Sequence, residues 1–458
     1  MSMRPTISWS ELRGRRVGVW GLGVEGRANV RKLAELGVTP VLVDDSPPAG
    51  GGAGGAPVLA TGDGGLDALA GCEVVVKAPG ISRYRDDVRQ LAGGGVTVVG
   101  GLGLWLAEAP LDRVIVITGT KGKSSTTAIA GHLLNQLGYR AMTGGNIGQL
   151  PYDPELDGAG RDYWVIEVSS YQATDLPCSP PVTAVTSLHP DHLPWHGGVE
   201  EYYRDKLSAC TQPGADLTVA NGDSSLLRDR VASLGPRVEW VHADDDPGSD
   251  WMAPLELLGV HNRRNALIAR ACLRAAGVPE AGDDAALRTA AAGFPPLSSR
   301  LQVIGTAGGV TFVDDSLSTN VLPTLAAVDA FPGRRIALIV GGQDRGIDYA
   351  PLADGLAGRD APLLVLALPD SGPRIQAAIE ARRPGKAEVT ACPDLAAAVR
   401  MGWEWARPDG VVLLSPAAPS FGVFRNYRDR ADAFARAMRA CTGDPDGAGG
   451  AGEAGRAG

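Results

Sequence analysis

Short, continuous apolar runs recur along the chain, and stretches with apolar residues at helical spacing separate them. Runs of this kind are typical of strands that are buried on both faces of a parallel sheet. The alternation of strands with helices therefore predicts an α/β protein with mostly parallel sheets. The predicted strands span residues 16–20, 40–43, 73–76, 96–99, 114–118, 164–168, 182–186, 217–220, 310–313, 335–340, 363–368 and 411–414.

The most specific local pattern begins where the strand at 114–118 ends. Gly119-Thr-Lys-Gly-Lys-Ser124 follows, and then a helical stretch at 126–137. Glycines let backbone N–H groups turn toward phosphate oxygens, and a helix N-terminus adds partial positive charge. Lys123 would reach the β- and γ-phosphates of a nucleotide, and Ser124 would bind Mg²⁺. The spacing is two residues shorter than in the common phosphate loop, and the alternative is a glycine-rich turn with a surface lysine.

A second glycine pattern lies near the N-terminus. The first predicted strand runs into Gly21-Leu-Gly23-Val-Glu-Gly26, a helix follows at 27–36, and Asp44 ends the second strand. This arrangement matches the dinucleotide-binding βαβ unit, in which an acidic residue stands about 20 residues after the glycines. A tight strand–helix turn that is packed for steric reasons alone is the alternative.

The predicted strands fall into three groups, which indicates three domains in series, because 458 residues are too many for one core. We expect a Rossmann-like first domain at 1–105. A central ATP-binding domain with the phosphate loop would span 106–299, and a second Rossmann-like domain would span 300–442. Two glycine-rich segments without periodicity, 47–57 and 443–458, are predicted to be a flexible loop and a disordered tail.

Composition excludes several classes of function. The net charge is −9 and no basic block stands out, which argues against nucleic-acid binding. The six cysteines are scattered without a Cys-x-x-Cys pair, as is typical of reduced thiols in a cytoplasmic protein. No apolar run has the length of a signal peptide core or of a membrane span, so neither a leader nor membrane insertion is expected.

Polar residues at strand ends are candidates for a metal site. Glu167 ends one apolar strand, and Asp191 and His192 follow the next strand. Their order after the phosphate loop favours a shared site for metal and nucleotide, although each residue alone is ambiguous. Lys206 lies in a helical stretch, where a surface lysine is the simpler interpretation. Asn265 is placed in the first turn of a helix that begins at His261, where asparagine is often a cap.

The third predicted domain carries polar segments after three of its strands. They are 314–316, 341–345 and 414–420. Ligands of open α/β sheets bind at the carboxyl ends of the strands, so these segments are candidate ligand contacts.

Together these motifs resemble those of the Mur ligases, three-domain ATP-dependent enzymes of bacterial cell-wall synthesis. The motifs that carry the resemblance are Gly119–Ser124, Glu167–Ser170, Asp191-His192, His261–Asn265, Arg300, Asp314–Ser316 and Leu414–Pro416. Within the family the chain is similar to the branch that adds glutamate to UDP-N-acetylmuramoyl-L-alanine. Pro79-Gly80-Ile81, Gly145–Gly148 and the segment Ser415–Tyr427 indicate that branch. The resemblance therefore implies ATP and Mg²⁺ as cofactors, a monomer, and the glycine fingerprint as a site for UDP.

The resemblance also implies a role for individual residues. Contacts to ATP are implied for Gly119, Thr120, Lys121, Gly122, Lys123, Ser124, Ser125, Asn265, Arg300 and Asp315. Contacts to the UDP-linked substrate are implied for Gly23, Val24, Glu25, Asp44, Pro79, Gly80, Asn146 and Ser169. Glutamate contacts are implied for Thr319, Arg345, Ser420 and Tyr427. The implied metal ligands are Ser124, Glu167, His192 and a carbamylated Lys206, and the implied catalytic residues are Lys123, His192 and Lys206.

Departures from the family pattern concern the added amino acid. Leu317 stands where ligases that add D-glutamate usually have lysine, and Arg345 stands where they also usually have lysine. Arginine and lysine are not interchangeable at a carboxylate site. The pattern is similar to a smaller branch that adds L-glutamate, with a separate epimerase acting later. We expect L-glutamate, with the D-glutamate ligase as the alternative. A folylpolyglutamate-type ligase, an inactive nucleotide-binding scaffold and a dehydrogenase explain fewer of the motifs.

Overall fold

The structure is a computed structural model that describes residues 4–47, 56–156, 160–295, 297–382 and 387–441. Three β-sheets with flanking helices form the fold, which confirms the α/β class expected from the sequence. The predicted flexible segment at 47–57 lies outside the described residues except at its ends, and the predicted tail at 443–458 lies outside them entirely.

The first sheet has five strands, all parallel, in the order β3-β2-β1-β4-β5. Its strands are β1 (Val17–Trp20), β2 (Val41–Asp44), β3 (Val58–Ala60), β4 (Val74–Lys77) and β5 (Thr97–Gly100). The strand order reverses direction between β1 and β4, and such a switch point leaves a crevice at the carboxyl ends of the strands. The glycine fingerprint follows β1 at this crevice.

The second sheet has six parallel strands in the order β11-β10-β9-β6-β8-β7. Its strands are β6 (Val114–Thr118), β7 (Ala141–Gly145), β8 (Tyr163–Glu167), β9 (Val182–Val185), β10 (Leu217–Asn221) and β11 (Arg237–Val241). The phosphate-loop strand β6 lies between β8 and β9, so the loops after these three strands meet at one edge.

The third sheet has the order β12-β13-β17-β14-β15-β16, in which only the β12–β13 pair is antiparallel. Its strands are β12 (Gln302–Ala307), β13 (Val310–Asp314), β14 (Ile336–Val340), β15 (Leu363–Ala367), β16 (Ala387–Ala391) and β17 (Val411–Leu414). The three predicted ligand segments follow β13, β14 and β17, which are neighbours in this sheet.

Helices cover the sheets. In the first sheet's part of the chain they are α1 (Val24–Glu35), α2 (Leu66–Ala70), α3 (Asp86–Gly93) and α4 (Gly101–Leu106). Around the second sheet they are α5 (Lys123–Gln136), α6 (Ser170–Ala173), α7 (Leu193–His196), α8 (Val199–Leu207), α9 (Ser225–Arg228), α10 (Val260–Ala275) and α11 (Asp284–Ala291). Those of the third sheet are α12 (Val321–Asp329), α13 (Ala350–Ala357), α14 (Gly372–Arg382), α15 (Leu395–Ala406) and α16 (Tyr427–Cys441). None of the helices in the described ranges is long and apolar enough to cross a membrane.

The chain divides into two compact units. One unit holds the first and second sheets, and the other holds the third sheet. A single hydrophobic core joins the first two sheets, because Val17, Val76 and Val99 of the first pack in the same cluster as Val116 and Ile166 of the second. The third sheet has a separate core on each face. The domain boundaries placed at residues 105 and 299 stay predictions.

Every predicted strand is present, and no bound differs by more than one residue. Helix α1 begins at Val24 and α5 begins at Lys123, each three residues earlier than predicted. The N-caps are Gly23, with extended backbone, and Gly122, with left-handed backbone, and the residue after each of them is already helical. Five strands were not predicted: β3, β7, β11, β12 and β16. The predicted position of Asn265 in the first turn of its helix is also wrong. Helix α10 begins at Val260, so Asn265 lies in the second turn.

Candidate functional site

The phosphate loop is a tight turn that requires glycine at two positions. Gly119 has φ +136° and Gly122 has φ +92°, in the region that favours glycine. A Cβ atom at Gly119 would collide with Thr186 Oγ1, and one at Gly122 would lie 2.7 Å from Asn265 Oδ1. Gly122 is the N-cap of α5, so the loop leads directly into the positive end of a helix. The geometry explains both glycines and places Asn265 against the loop.

Lys123 extends back over this loop. Its Nζ donates hydrogen bonds to the carbonyl oxygens of Gly119 at 2.9 Å and Thr120 at 3.2 Å. The ammonium group therefore lies at the concave side of the loop, where the phosphates of a nucleotide are expected. Ser124 and Ser125 follow in the first turn of α5, as predicted for contacts to a metal–nucleotide complex.

Thr120 and Lys121 hold the loop in place. The Thr120 hydroxyl is buried and lies 2.8 Å from the hydroxyl of Tyr202. The backbone N–H of Thr120 donates to the Ser187 carbonyl, and that of Lys121 donates to Ser187 Oγ. These N–H groups already have protein partners, so the N–H groups from Gly122 onward are the better candidates for phosphate donors. The sequence analysis did not find Ser187, although it directly follows strand β9 and Thr186.

Glu167 ends β8 as a buried carboxylate that is only half satisfied. Oε1 accepts a hydrogen bond from Asn146 Nδ2 at 2.8 Å, whereas Oε2 is buried without a hydrogen-bond partner among the described residues. A buried carboxylate oxygen without a partner is costly, and a divalent cation would satisfy it. Because β8 is paired with β6, Glu167 lies beside the phosphate loop. The donor set of Glu167 and Ser124 therefore fits Mg²⁺.

Lys206 is the most unusual cation of the site. The side chain lies on α8, is 2% exposed, and donates from Nζ to the Gly119 carbonyl at 2.9 Å. Burial lowers the pKa of Lys206 well below its usual value, and the charges of Lys123 and Lys121 lower it further, against the opposing effect of Asp191. This environment disfavours the charged form of the amine next to the phosphate loop. The surface position that simple sequence reasoning favoured for Lys206 is wrong, because α8 packs this face on the loop.

His192 and Asp191 lie on the segment after β9, beside the loop. His192 is the residue before α7, has φ +54°, and is half-exposed. Burial of the ring lowers the pKa of His192, although the nearby Asp191 carboxylate opposes this shift. Neutral imidazole is the form that binds metals. Asp191 also lies 3.6 Å from Lys121 Nζ.

The crevice of the first sheet is a cleft of ≈ 480 Å³, a size within the usual range for small-molecule sites. All six first-domain residues predicted to contact the UDP-linked substrate line it: Gly23, Val24, Glu25, Asp44, Pro79 and Gly80. Asp44 supports the glycine fingerprint by accepting a hydrogen bond from the Leu22 N–H at 2.6 Å. Tyr171 from the second sheet's part of the chain lines the same cleft, and its ring centroid is 5.0 Å from that of His192. Tyr171 was not predicted, although it directly follows the Glu167–Ser170 motif.

Ser169 begins α6 with a capping box. Its Oγ accepts from the Gln172 N–H, while Gln172 Oε1 accepts from the Ser169 N–H. Gln172 Nε2 in turn donates to Glu25 Oε1 at 2.6 Å. Close by, Lys77 and Asp175 form a buried ion pair with 2.5 Å between Nζ and Oδ2. These contacts connect the cleft of the first sheet to the second sheet, and they orient Ser169.

Another buried chain of hydrogen bonds supports α6, α7 and α8. His196 Nδ1 lies 2.7 Å from Asp205 Oδ2, and His196 Nε2 lies 2.9 Å from Ser170 Oγ. Tyr84 donates from its hydroxyl to Asp205 Oδ1 at 2.6 Å. These side chains were not predicted, because their roles depend on contacts that no local spacing reveals. They hold the segments of Ser169, His192 and Lys206 together.

Glu25 should make stability depend on pH. Burial raises the pKa of Glu25 to about 7. Since its folded pKa lies above its unfolded value, the contribution of Glu25 to stability is fully present below about pH 4.5 and is lost as the pH rises through 7. We expect Glu25→Gln to stabilise the protein by about 2 kcal/mol at pH 8 and to flatten its stability between pH 5 and 8.

Urea unfolding of Glu25→Gln and of the unchanged protein at both pH values measures this difference. Glu35→Gln is the matched control, because Glu35 lies on the same helix, is exposed, and pairs with Lys32. Parallel pH dependence in Glu25→Gln and in the unchanged protein would contradict the assignment.

In the other unit, the residues that were predicted to contact the substrate glutamate follow strands β13, β14 and β17. Backbone hydrogen bonds join the last two loops, from Gly341 to Pro416 and from Gln343 to Pro419. Arg430 of α16 is buried and donates to the carbonyl oxygens of Ser316 and Ala418. Arg430 was not predicted, because its position in an amphipathic helix resembles that of a surface residue.

The individual predicted residues of this unit differ in exposure. Ser420 is buried, and Tyr427 begins α16. Thr319 closes the loop after β13 through a backbone hydrogen bond to Leu317. Arg345 is exposed, donates from Nε to Gln343 Oε1, and lies 5.8 Å from the Phe421 ring centroid. Phe421 is half-exposed beside it.

Asp315 and Arg300 were predicted to contact ATP. Both carboxylate oxygens of Asp315 accept hydrogen bonds within the protein, from the Leu301 N–H and from the hydroxyls of Ser318 and Ser415. Burial nevertheless raises the pKa of Asp315 to about 6. Arg300 lies between Ser299 and Leu301, which both have positive φ. The ATP contacts of both residues stay predictions.

Two domain families match the chain. The Mur ligase middle domain matches residues 117–273, and the Mur ligase glutamate ligase domain matches residues 299–418. The first match contains the phosphate loop, and the second contains the loops after β13 and β14.

Curated relatives match almost the whole chain. A UDP-N-acetylmuramoyl-L-alanine–L-glutamate ligase of Micromonospora sp. (strain ATCC 39149) is 43% identical, over 95% of this chain and 99% of that protein. A protein of the same name from Salinispora tropica is 42% identical, over 95% of this chain and 99% of that protein. The corresponding protein of Xanthomonas axonopodis pv. citri is 38% identical, over 93% and 96%.

Solved structures show the same fold at low identity. The UDP-N-acetylmuramate–alanine ligase of Thermotoga maritima has a TM-score of 0.54 at 17% identity, over 93% of this chain and 99% of that chain. A second T. maritima ligase of this group, solved with ADP, also has a TM-score of 0.54 at 15% identity, over 96% and 98%.

Proposed function

The chain belongs to the Mur ligase family, and from that premise we propose that it joins L-glutamate to UDP-N-acetylmuramoyl-L-alanine. It is an ATP-dependent, ADP-forming peptide ligase of peptidoglycan precursor synthesis. The observation that carries the choice of L-glutamate is the end-to-end match to relatives named for that substrate, at 43% and 42% identity. The D-glutamate alternative is not favoured by these relatives.

The first chemical step activates the alanyl carboxylate. Its oxygen attacks the γ-phosphorus of ATP, ADP leaves, and an acyl phosphate forms on the substrate. We assign the γ-phosphate to the concave side of the loop, where Lys123 Nζ and the N-terminus of α5 stabilise the charge of the transferring group. Asn265 supports the loop at Gly122.

Mg²⁺ would be held by Ser124, Glu167, His192 and Lys206, the last as a carbamate formed by CO₂ addition to its neutral amine. The unpartnered Glu167 Oε2 and the lowered pKa of Lys206 support this assignment. When bound, the metal would neutralise phosphate charge. The side chains of this chain supply the fixed framework for it.

The second step forms the peptide bond. The amine of glutamate attacks the acyl carbon, the tetrahedral intermediate collapses to the amide, and phosphate leaves. We assign the glutamate to Thr319, Arg345, Ser420 and Tyr427, with the Arg345 guanidinium as the carboxylate partner. Leu317 supplies no charge there, so we propose that Leu317 and Arg345 together set the stereochemical preference. An epimerase that inverts the new residue is a further part of this proposal.

Phosphate release with each glutamate enantiomer tests the proposal. Purified protein with ATP, Mg²⁺ and UDP-N-acetylmuramoyl-L-alanine is expected to release phosphate with L-glutamate at least about tenfold faster than with D-glutamate, because one charge–carboxylate contact discriminates by that much. Omission of the muramoyl substrate is the control for uncoupled hydrolysis.

Faster release with D-glutamate would assign the chain to the alternative branch. Absence of release with either enantiomer would overturn the glutamate assignment and direct the search to other amino acids.

A further inference from the structure

A second cleft in the unit of the first two sheets is lined by three arginines from distant parts of the chain. Arg4 comes from the N-terminal segment, Arg83 from the loop after β4, and Arg204 from α8. The cleft has a volume of ≈ 500 Å³. It shares no lining residue with the UDP cleft, and the proposed reaction uses none of these arginines.

Two of the guanidinium groups are fixed by carbonyl oxygens rather than by an ion pair. Arg4 Nη1 donates to the carbonyl oxygens of Ala173 at 2.6 Å and Leu176 at 2.8 Å, and Arg83 Nη1 donates to the carbonyl of Thr174. Within the described parts of the chain, neither group lies within 4 Å of a carboxylate.

The same bonds leave one edge of each guanidinium unused. Nε and Nη2 of Arg4 and Arg83 make no hydrogen bond to the described residues, and neither atom is among the buried groups without a partner. The Nε–Nη2 edge is the one that grips a carboxylate or phosphate through two parallel hydrogen bonds. Both arginines are therefore anchored through one nitrogen, with the binding edge available to the cleft.

The charges that line the cleft do not balance. Three arginines face one carboxylate, that of Asp205, whose oxygens are already engaged by Tyr84 and His196. The lining residues therefore carry a formal charge of +2 in a chain of net charge −9. Burial lowers the pKa of Arg4 to about 10, and the neighbouring charge of Arg83 acts in the same direction, against the opposing effect of Asp175 and Asp205. An anion in the cleft would relieve this repulsion.

We propose that this cleft binds a doubly charged tetrahedral oxyanion, either free phosphate or the phosphoryl group of a small molecule. The formal charge of the lining matches a phosphate dianion, and the two forked edges with Arg204 supply donors on several sides. Arg204 and Lys206 are two positions apart on α8 and so point to different sides of that helix. The site is thus separate from the phosphate loop, although one helix contributes to both.

Calorimetric titration of the full-length protein with inorganic phosphate tests the proposal. The Lys123→Ala background weakens phosphate binding at the loop and leaves the cleft unchanged. We expect one saturable binding event, that of the cleft, to remain in this background. Adding Arg4→Gln and Arg83→Gln to the background should weaken that event at least about tenfold, because two charge-assisted forks are lost.

Two further variants keep the test decisive if the double variant does not fold. Arg204→Gln removes a half-exposed cation that, unlike Arg4 and Arg83, is not bonded to the carbonyls at and after the end of α6. This variant should weaken phosphate binding several-fold. Arg89→Gln with Arg237→Gln is the matched control, because both arginines are exposed and pair with carboxylates outside the cleft. This control should bind phosphate as the unchanged protein does.

Two results would overturn the proposal: binding that disappears in Lys123→Ala, or binding that survives the removal of Arg4, Arg83 and Arg204. Absence of saturable binding in the unchanged protein would also overturn it. Titration with glycerol 3-phosphate distinguishes the sources, since tighter binding than that of phosphate assigns the cleft to a phosphoryl ester, and weaker binding assigns it to the free ion.

Discussion

Replacement of Lys123 by alanine is expected to lower phosphate release at least about a hundredfold, and the protein should remain folded. Its ammonium group lies over the phosphate loop, in hydrogen bonds to the carbonyls of Gly119 and Thr120, and is placed to meet charge that develops on the transferred group. Loss of one preorganised electrostatic contact of this kind costs about 10²–10³ in rate. Thermal unfolding should change little, because the Lys123 ammonium bonds to carbonyl oxygens of its own loop rather than across the core.

The neighbouring lysine provides the control for this variant. Lys121 is exposed and faces Asp191 at 3.6 Å, so Lys121→Ala removes the same charge from the same loop without removing the inner contact. We expect it to retain more than a tenth of the activity. Equal losses in Lys121→Ala and Lys123→Ala would show that the loop needs positive charge in general rather than an ammonium group at one place.

Replacement of Lys206 by methionine is expected to lower activity at least about a hundredfold. The variant should be as stable as the unchanged protein or more stable. The two effects have separate causes. Lys206 is proposed to hold Mg²⁺ as a carbamate, which methionine cannot form. Its buried amine is also a liability for folding, since burial and the charges of Lys123 and Lys121 lower its pKa. An apolar side chain of similar length removes that cost.

The pH dependence of stability separates these effects. A lysine whose folded pKa lies below its unfolded value binds fewer protons when folded, so stability rises with pH between the two values. The unchanged protein should therefore gain stability from neutral toward alkaline pH through Lys206, and Lys206→Met should lack that gain. Melting temperatures at pH 7 and 9, together with phosphate release, measure both predictions.

Lys206→Arg completes this comparison. It keeps a charge that cannot be neutralised in the same buried position, so we expect it to lose both activity and stability. A Lys206→Met protein that melts well below the unchanged protein would refute the stability argument, and one that keeps most of its activity would refute the proposed metal role.

The strands that the sequence did not reveal share a position in the fold. All five are edge strands: β3 in the first sheet, β7 and β11 in the second, and β12 and β16 in the third. Edge strands are partly exposed and do not need a continuous apolar run, as the mixed Ala-Glu-Val-Thr-Ala of β16 shows. Central strands were predictable because burial on both faces leaves only apolar side chains.

The residues of the candidate site also divide into those that the sequence could predict and those that it could not. The phosphate loop was predictable because strand, glycines, lysine and helix are contiguous in the chain. Lys206 could not be placed from its own neighbours, because its burial depends on how α8 packs on the loop. Likewise, His196 and Arg430 are hidden in ordinary helical patterns, and only tertiary contacts show that they position loops.

The core that joins the first two sheets constrains how these two parts of the chain can evolve. The predicted first domain, with its boundary near residue 105, invites the view of an exchangeable module. Here Val76 and Val99 pack in one cluster with Val116 and Ile166, and the buried ammonium of Lys77 has its counter-ion, Asp175, on the far side of that boundary. A first domain transplanted from a relative would bring only half of each contact. These two domains therefore have to diverge as one lineage, with substitutions on one side of the core compensated on the other.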